Sequence, residues 1–349
     1  MNARRHSLLV LGSTAVLVAS AWALAWWLQP LYGDLTRIGT HAERYFGPNA
    51  PLAEFHPTAA SWGSYDRPAD VLVIGDSFAN LRPAQQWQNW LAVRTGWRIH
   101  TVDRLNLPLA ALMASPVYAL APPRVVIWNN IERDLRDEYG DGAGHCPARA
   151  RAAPVDPLVI HPTSRAAARV QRPRPLAQIN PGFARAWIWK ALAREAFGRD
   201  TSQTVRLPLA RADLFSARRS SDLLVYRRDL RKSSWKNADL ERIRCSYERL
   251  AARFEANGRT RFVTAIAPDK SSAYRPWLKD PVALPPSVLP ALLENFPVPD
   301  ARLDRAVSKA VAAGVPDVYL PDDTHWGPAG HRLAAEAILA LLVARGLAR

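Results

Sequence analysis

Val71-Leu72-Val73-Ile74 is an apolar run with no polar alternation, and it ends at Gly75-Asp76-Ser77. A strand that is apolar on both faces must be covered on both, so this segment predicts the interior of a parallel sheet between two layers of helix. Four further short runs are set off by Pro or Gly in the same way. They are Trp97–Val102, Arg124–Trp128 after Pro122-Pro123, Arg261–Ala267 before Pro268, and Asp317–Leu320 before Pro321. Ala84–Thr95, Ala301–Ala313 and Gly330–Arg345 read as helices between them. The expected fold class is therefore α/β, with no internal repeat.

The N-terminus bears on the compartment. Arg4 and Arg5 precede Ser7–Leu28, an uncharged stretch of about 22 residues that is long enough to cross a bilayer. Basic residues before the span favour a cytoplasmic N-terminus, with the remainder outside. Trp26 and Trp27 stand where an aromatic belt is expected. A cleaved signal peptide is the competing reading, with Ala21-Trp22-Ala23 as a small-x-small site. The apolar run continues past that site, and an uncleaved anchor is preferred. The organisation expected is an anchor over 1–30, a linker over 31–70, and one domain over 71–349.

Within that domain the segment from Arg133 to Arg259 breaks the strand–helix rhythm. It opens on a Gly-rich loop (Tyr139 to Gly144), is rich in Pro and Arg, and turns helical at Ala184–Phe197 and Asn237–Ala256. We read it as a basic helical insertion at about 136–258. The chain carries a net charge of +15. Between Pro147 and Thr260 there are 24 Lys and Arg against 10 Asp and Glu, a net of +14, so nearly all the excess lies here. Such a surface outside a membrane could face anionic lipid headgroups or an anionic polysaccharide, and nucleic acid is not expected there. Solvated Arg-rich helix faces are the plain alternative. The 13 Trp serve first as core or membrane-interface residues and second as sugar-stacking surfaces. Cys146 and Cys245 have no metal-ligand spacing and could form one disulfide in an oxidising compartment.

Two distant segments carry chemistry. A strand that turns sharply into a helix at Gly75-Asp76-Ser77 leaves the Ser77 hydroxyl at the carboxyl edge of the sheet, with its backbone N–H facing a developing oxyanion. An N-capping serine is the structural alternative. Near the other end, Asp322-Asp323-Thr324-His325-Trp326 puts two acids just before a histidine. Either Asp323 or Asp322 could accept the His325 Nδ1–H and fix its tautomer. Lys270, after the fourth strand, could position an anionic sugar or support the site electrostatically. Asn129 and Asn130, and Asn106 after the second strand, could supply an oxyanion amide or simply build turns.

These segments resemble the SGNH/GDSL hydrolase superfamily, in its branch of polysaccharide O-acetyltransferases typified by the alginate O-acetyltransferase proteins. Ile74-Gly75-Asp76-Ser77-Phe78 resembles that family's nucleophile block. Val125-Val126-Ile127-Trp128 leading to Glu132-Arg133-Asp134-Leu135 resembles its strand with a following Glu-Arg. Ala267-Pro268-Asp269-Lys270-Ser271-Ser272-Ala273-Tyr274 resembles its Pro-Asp-Lys-x-x-x-Tyr block, and Asp323-Thr324-His325-Trp326 its Asp-x-His-Trp block. The likeness covers the core strands. In the alginate branch the Asp-x-His block comes first, whereas here the order is that of ordinary SGNH hydrolases. The superfamily's Gly and Asn oxyanion donors have no obvious counterpart.

The resemblance implies a three-layer, flavodoxin-like α/β/α sandwich with strand order 2-1-3-4-5. It implies Ser77 as nucleophile, His325 as base and Asp323 as orienting acid, preferred over Asp322 because Trp326 follows. The activity implied is O-acetyl transfer to an exported or cell-surface polysaccharide in a bacterial periplasm, without cofactor or metal. A multi-spanning inner-membrane acyltransferase would supply the acetyl groups. The alternatives are an esterase or deacetylase with the same site, and a non-catalytic polysaccharide-binding or assembly protein.

Overall fold

A computed structural model describes residues 3–28, 32–106, 108–139, 146, 154–172, 181–199 and 201–349. The Gly-rich loop of the sequence analysis lies outside them, apart from Tyr139. The elements that matter below are α1 (Ala3–Leu28), α2 (Asp34–Gly39), β1 (Ser61–Trp62), β2 (Val71–Gly75), α3 (Ser77–Asn80), α4 (Trp87–Thr95), β3 (Ile99–Asp103), β4 (Val125–Ile131), α5 (Pro181–Phe197), α6 (Asn237–Glu255), β5 (Arg261–Ala267), α7 (Lys270–Tyr274), α8 (Leu303–Ala312) and α9 (Pro328–Ala344).

The five strands form one parallel sheet in the order β1-β3-β2-β4-β5. The alternation along each strand explains why both faces are apolar. Val71, Val73, Val125, Ile127 and Val263 point to a core shared with Trp87 and Leu91 of α4, Leu303 and Val307 of α8, and Ile338 and Leu342 of α9. Leu72, Ile74, Val126, Trp128 and Phe262 point the other way, onto Ile243, Tyr247 and Phe254 of α6 and onto Leu289 and Leu292. The protein is thus mixed α/β with helices on both faces of a central parallel sheet.

Four of the five strands expected from sequence pair in the expected order, but Asp317–Leu320 is not a strand of the sheet. Its backbone bonds locally instead: Leu320 N–H donates to the His325 carbonyl and Gly327 N–H to the Val318 carbonyl. Asp317, at φ +50°, breaks the extended conformation. The free edge of β5 is taken by residues 299–301, through Thr264 N–H to Pro299 and Ala301 N–H to Thr264. The fifth strand is β1, on the far edge beside β3.

The segment read as a linker is packed into the domain. Leu35, Phe46 and Phe55 are buried, and Leu35 and Thr36 donate their N–H groups to the Asp322 carbonyl. In the basic segment, α6 belongs to the helical layer of the sandwich, and Cys245 on α6 is disulfide-bonded to Cys146. Arg172 from the same segment is spent on an internal ion pair with Asp322. By length and composition α1 can cross a membrane: Ala3–Leu24 has a mean hydropathy of 1.9 and none of it is buried within the protein.

Candidate active site

Gly75 closes β2 where there is no room for a side chain. A Cβ there would lie 2.7 Å from that of Ala79 and 3.1 Å from that of Asn129. Asp76 then caps α3, its Oδ1 accepting the Phe78 N–H at 2.8 Å and its Oδ2 the Ile131 N–H at 2.9 Å. One carboxylate thus starts the helix and ties its turn to the end of β4. Asn80 donates its side-chain amide back to the carbonyls of Gly75 and Asp76. The result is that Ser77 projects from a rigid turn into solvent while its neighbours on both sides are buried.

His325 comes to it from the loop after Pro321. Its Nε2 lies 2.8 Å from Ser77 Oγ, across 248 residues of sequence. Its Nδ1 lies 2.6 Å from Asp323 Oδ1, and its own N–H bonds the same oxygen at 3.1 Å. The His325 ring packs 4.9 Å from Phe78, and Trp326, almost fully buried, stands edge-on to Phe78 at 5.1 Å. Phe78, the residue after Ser77, and Trp326, the residue after His325, therefore wedge the two loops together.

Asp322 and Asp323 are adjacent but separate in role. Asp322 faces away from the imidazole and is braced by Arg172 at 2.5 Å. Asp323 bonds the imidazole, and the Arg82 guanidinium lies 3.5 Å from its other oxygen. Burial alone would raise the Asp323 carboxyl, but the imidazolium and Arg82 outweigh it and leave the pKa below its ordinary value. Burial likewise disfavours the His325 cation, yet the charge and hydrogen bond of Asp323 overcome this and raise its pKa.

Lys270 is buried and contacts no free surface. Its ammonium donates to the carbonyls of Leu320, Pro321 and Asp323 at 2.8, 2.9 and 3.1 Å, which uses all three of its protons. It is a clamp on the histidine loop, not the sugar contact the sequence allowed. Burial lowers its pKa to about 8, against the pull of the nearby aspartates.

The Asn candidates for an oxyanion hole are engaged elsewhere. Asn129 donates to the Ala265 carbonyl, Asn130 to Glu138, and Asn106 to Asp103. The Ser77 N–H stands at the first position of α3, where a helix supplies no partner, and is a further candidate donor.

The other two sequence blocks meet beneath the site. Glu132 accepts the N–H groups of Asp269 and Val288 and the hydroxyls of Ser272 and Ser287. Lys232 bridges Asp269 and Glu132, and Arg133 pairs with Asp269 and Asp229. This buried network fastens the carboxyl ends of β4 and β5. Its Arg133 guanidinium lies 6.0 Å from the Phe78 ring.

Two residues had no signal in the sequence. Asp34, the first residue of α2, accepts the Thr324 N–H at 2.8 Å and its hydroxyl at 2.6 Å, and lies 3.9 Å from His325 Nδ1. Burial and the neighbouring Asp323 raise its pKa to about 6. Arg82 also donates to the Tyr32 carbonyl, and with Tyr32, Glu54, Gln85, Gln171 and Arg172 it lines a groove of about 370 Å³. Asp34, Asp323 and His325 bring ligand atoms within 4.8 Å of one another, so a cation could be held there. It would have to displace the Asp323 bond that orients Nδ1, whereas the Ser77 contact uses Nε2.

A comparison with protein-family models gives no match, and neither curated proteins nor solved structures yield a significant one. What the arrangement can do is read from its geometry: a solvent-facing hydroxyl, a base in contact with it, and a buried acid fixing the base are the parts of an acyl-transfer nucleophile.

Proposed function

We propose that this chain is a membrane-anchored SGNH-type O-acetyltransferase acting on an exported or cell-surface polysaccharide. The observation that carries the reading is the continuous Ser77–His325–Asp323 hydrogen-bond chain at 2.8 and 2.6 Å. Helices on both faces of the parallel sheet suit the flavodoxin-like SGNH sandwich, and the four sequence blocks gather at one sheet edge.

In this reading Ser77 Oγ attacks the acetyl carbonyl of a donor while His325 Nε2 takes its proton. Asp323 stays ionised and holds the Nδ1–H. The Ser77 N–H stabilises the tetrahedral oxyanion. Collapse breaks the bond to the leaving group, which takes the proton from His325, and acetyl-Ser77 remains. A sugar hydroxyl then gives its proton to His325 and attacks the acetyl carbon; the bond to Ser77 Oγ breaks and Ser77 takes the proton back from His325. The groove beside Arg82 and Tyr32 is where the acceptor would lie. A bacterial periplasmic location is supported by α1, by Arg4 and Arg5 before it, and by the Cys146–Cys245 disulfide. A multi-spanning inner-membrane acyltransferase is the proposed acetyl supplier.

The exposure of Ser77 favours a second reading, an esterase or deacetylase in which water takes the place of the sugar. One experiment separates the two. The detergent-purified chain is given an activated acetyl ester with and without an oligosaccharide acceptor, as wild type and as Ser77→Ala. Transfer predicts an acetylated Ser77 peptide by mass spectrometry and turnover that rises with the acceptor. Turnover indifferent to every acceptor supports the hydrolase, and turnover unchanged in Ser77→Ala sinks both.

A further inference from the structure

We propose that α5 is an interfacial membrane helix whose Ile188, Trp189 and Leu192 lie in the headgroup region beside α1, holding the Ser77 site close to the bilayer surface. The inference rests on reading α1 as a membrane span.

Outside α1, exposed large apolar side chains are scattered singly over the described residues, except on α5. There Ile188, Trp189 and Leu192 are 38%, 69% and 51% exposed, and Phe197 at the end of the helix is 74% exposed. Positions 188, 189 and 192 share one helix face, and Arg185 lies on it one turn earlier. A soluble protein rarely leaves such a face in water. An apolar face that carries Trp and is edged by basic residues is the pattern of a helix lying in the headgroup region.

What covers this face follows from its neighbours. α5 packs alongside α1, and both are hooked to the same stretch of chain. Arg194 of α5 donates to the carbonyls of Gly39 and Thr40, at 3.0 and 3.3 Å, where α2 ends. Arg44, four residues on, stacks its guanidinium over the Trp27 ring at 3.1 Å, near the end of α1. The lipid that surrounds α1 therefore reaches the side of α5 that faces away from the domain. Arg185 and Lys190 on α5 and Arg37 on α2 add the cations that anionic headgroups attract.

The same stretch places the site. Asp34, at the start of α2, stands 3.9 Å from His325. It follows the last residue of α1, Leu28, by only six positions. Six residues span at most about 20 Å, so His325 lies within roughly 30 Å of the end of α1. An acetyl group handed over at the membrane surface would have a short way to travel.

Spin labels test this on the full chain in nanodiscs of phosphatidylethanolamine and phosphatidylglycerol. The two native cysteines are bonded to each other, so each introduced thiol is unique. Labels go in separately through Leu17→Cys in α1, Ile188→Cys and Leu192→Cys in α5, and Val282→Cys, an 85% exposed apolar site outside both helices. Collision with dissolved oxygen is compared with collision with a water-soluble nickel chelate. The expected oxygen-to-nickel ratio is highest at 17, several-fold above the 282 value at 188 and 192, and lowest at 282. A ratio at 188 and 192 equal to that at 282, with 17 buried in lipid, overturns the proposal and leaves the span intact. Exclusion of both reagents at 188 and 192 also overturns it, because a protein partner then covers the face. An aqueous ratio at 17 removes the span and the proposal together, while the acetyl-transfer assay still judges the active site alone.

Discussion

The Asp76 carboxylate accepts the Ile131 N–H at 2.9 Å, so the turn that presents Ser77 is tied to the end of the neighbouring strand. Its other oxygen holds the Phe78 N–H. Asp76→Ala leaves two buried donors without acceptors. The expected cost is about 2–6 kcal/mol of stability, read by chemical denaturation, because each orphaned donor costs about 1–3 kcal/mol. Turnover by the folded fraction should fall by about 100-fold, since a displacement of about 1 Å at a nucleophile has that effect.

The two adjacent aspartates should fail differently. Asp323→Asn keeps the shape but removes the charge that fixes the His325 tautomer, and turnover per folded molecule should drop by about 10³–10⁴-fold. Asp322→Asn strips the buried Arg172 of the carboxylate at 2.5 Å. Breaking one side of a buried pair costs up to about 3–5 kcal/mol, and less here because Glu43 stays 3.3 Å from Arg172, so that variant should melt earlier than wild type while its folded fraction stays active. Thermal melts run beside ester turnover decide it, and the reverse pattern would make Asp322 the orienting acid.

Much of this arrangement was legible in the residues. Val71 to Ile74 announces a doubly covered strand, Gly75-Asp76-Ser77 announces a sharp turn, and Asp322 and Asp323 both have a spacing that can reach back to His325, of which the structure bonds Asp323. Val318 to Leu320 misled because a short apolar run reports burial and not a hydrogen-bond ladder. Its backbone partners are residues 323–327 of its own loop. β1 is too short for any period to show. Asp34, Arg82 and Arg172 reach the site from segments without periodicity, and only tertiary contacts bring them in. The sequence puts Lys270 at the carboxyl end of β5, where the structure has it, but does not say whether its ammonium faces a ligand or three carbonyls.

That difference is measurable. Lys270→Met removes a buried charge, which tends to stabilise, but leaves the carbonyls of Leu320, Pro321 and Asp323 short of a donor at about 1–3 kcal/mol each. The balance should be a net loss of stability and a looser histidine loop. Turnover should fall at least tenfold, while KM for an oligosaccharide acceptor stays within about twofold. A large rise in KM with turnover retained would mean that Lys270 meets the sugar after all.

The pH dependence of activity and of stability should part company around the His325–Asp323 pair. In the proposed reaction His325 is the base and works neutral, and Asp323 raises its pKa above the ordinary 6.5, so the acid limb of turnover should have its midpoint above 6.5. Stability runs the other way. A raised histidine pKa contributes stability that is fully present below 6.5 and is lost as pH rises through the raised value. The lowered Asp323 pKa contributes stability that is present above 3.8 and is lost as pH falls toward the folded-state value. The pair therefore supports the fold most between about pH 4 and 6.5, below the range in which it is active. In Asp323→Asn the imidazole loses the neighbour that raised it, while burial still disfavours its cation. The acid limb of the residual activity should then move to lower pH, and the stability maximum of the pair should flatten. Ester turnover and denaturant midpoints measured from pH 4 to 9 test both halves, and an acid limb that stays in place in Asp323→Asn would mean that another group sets it.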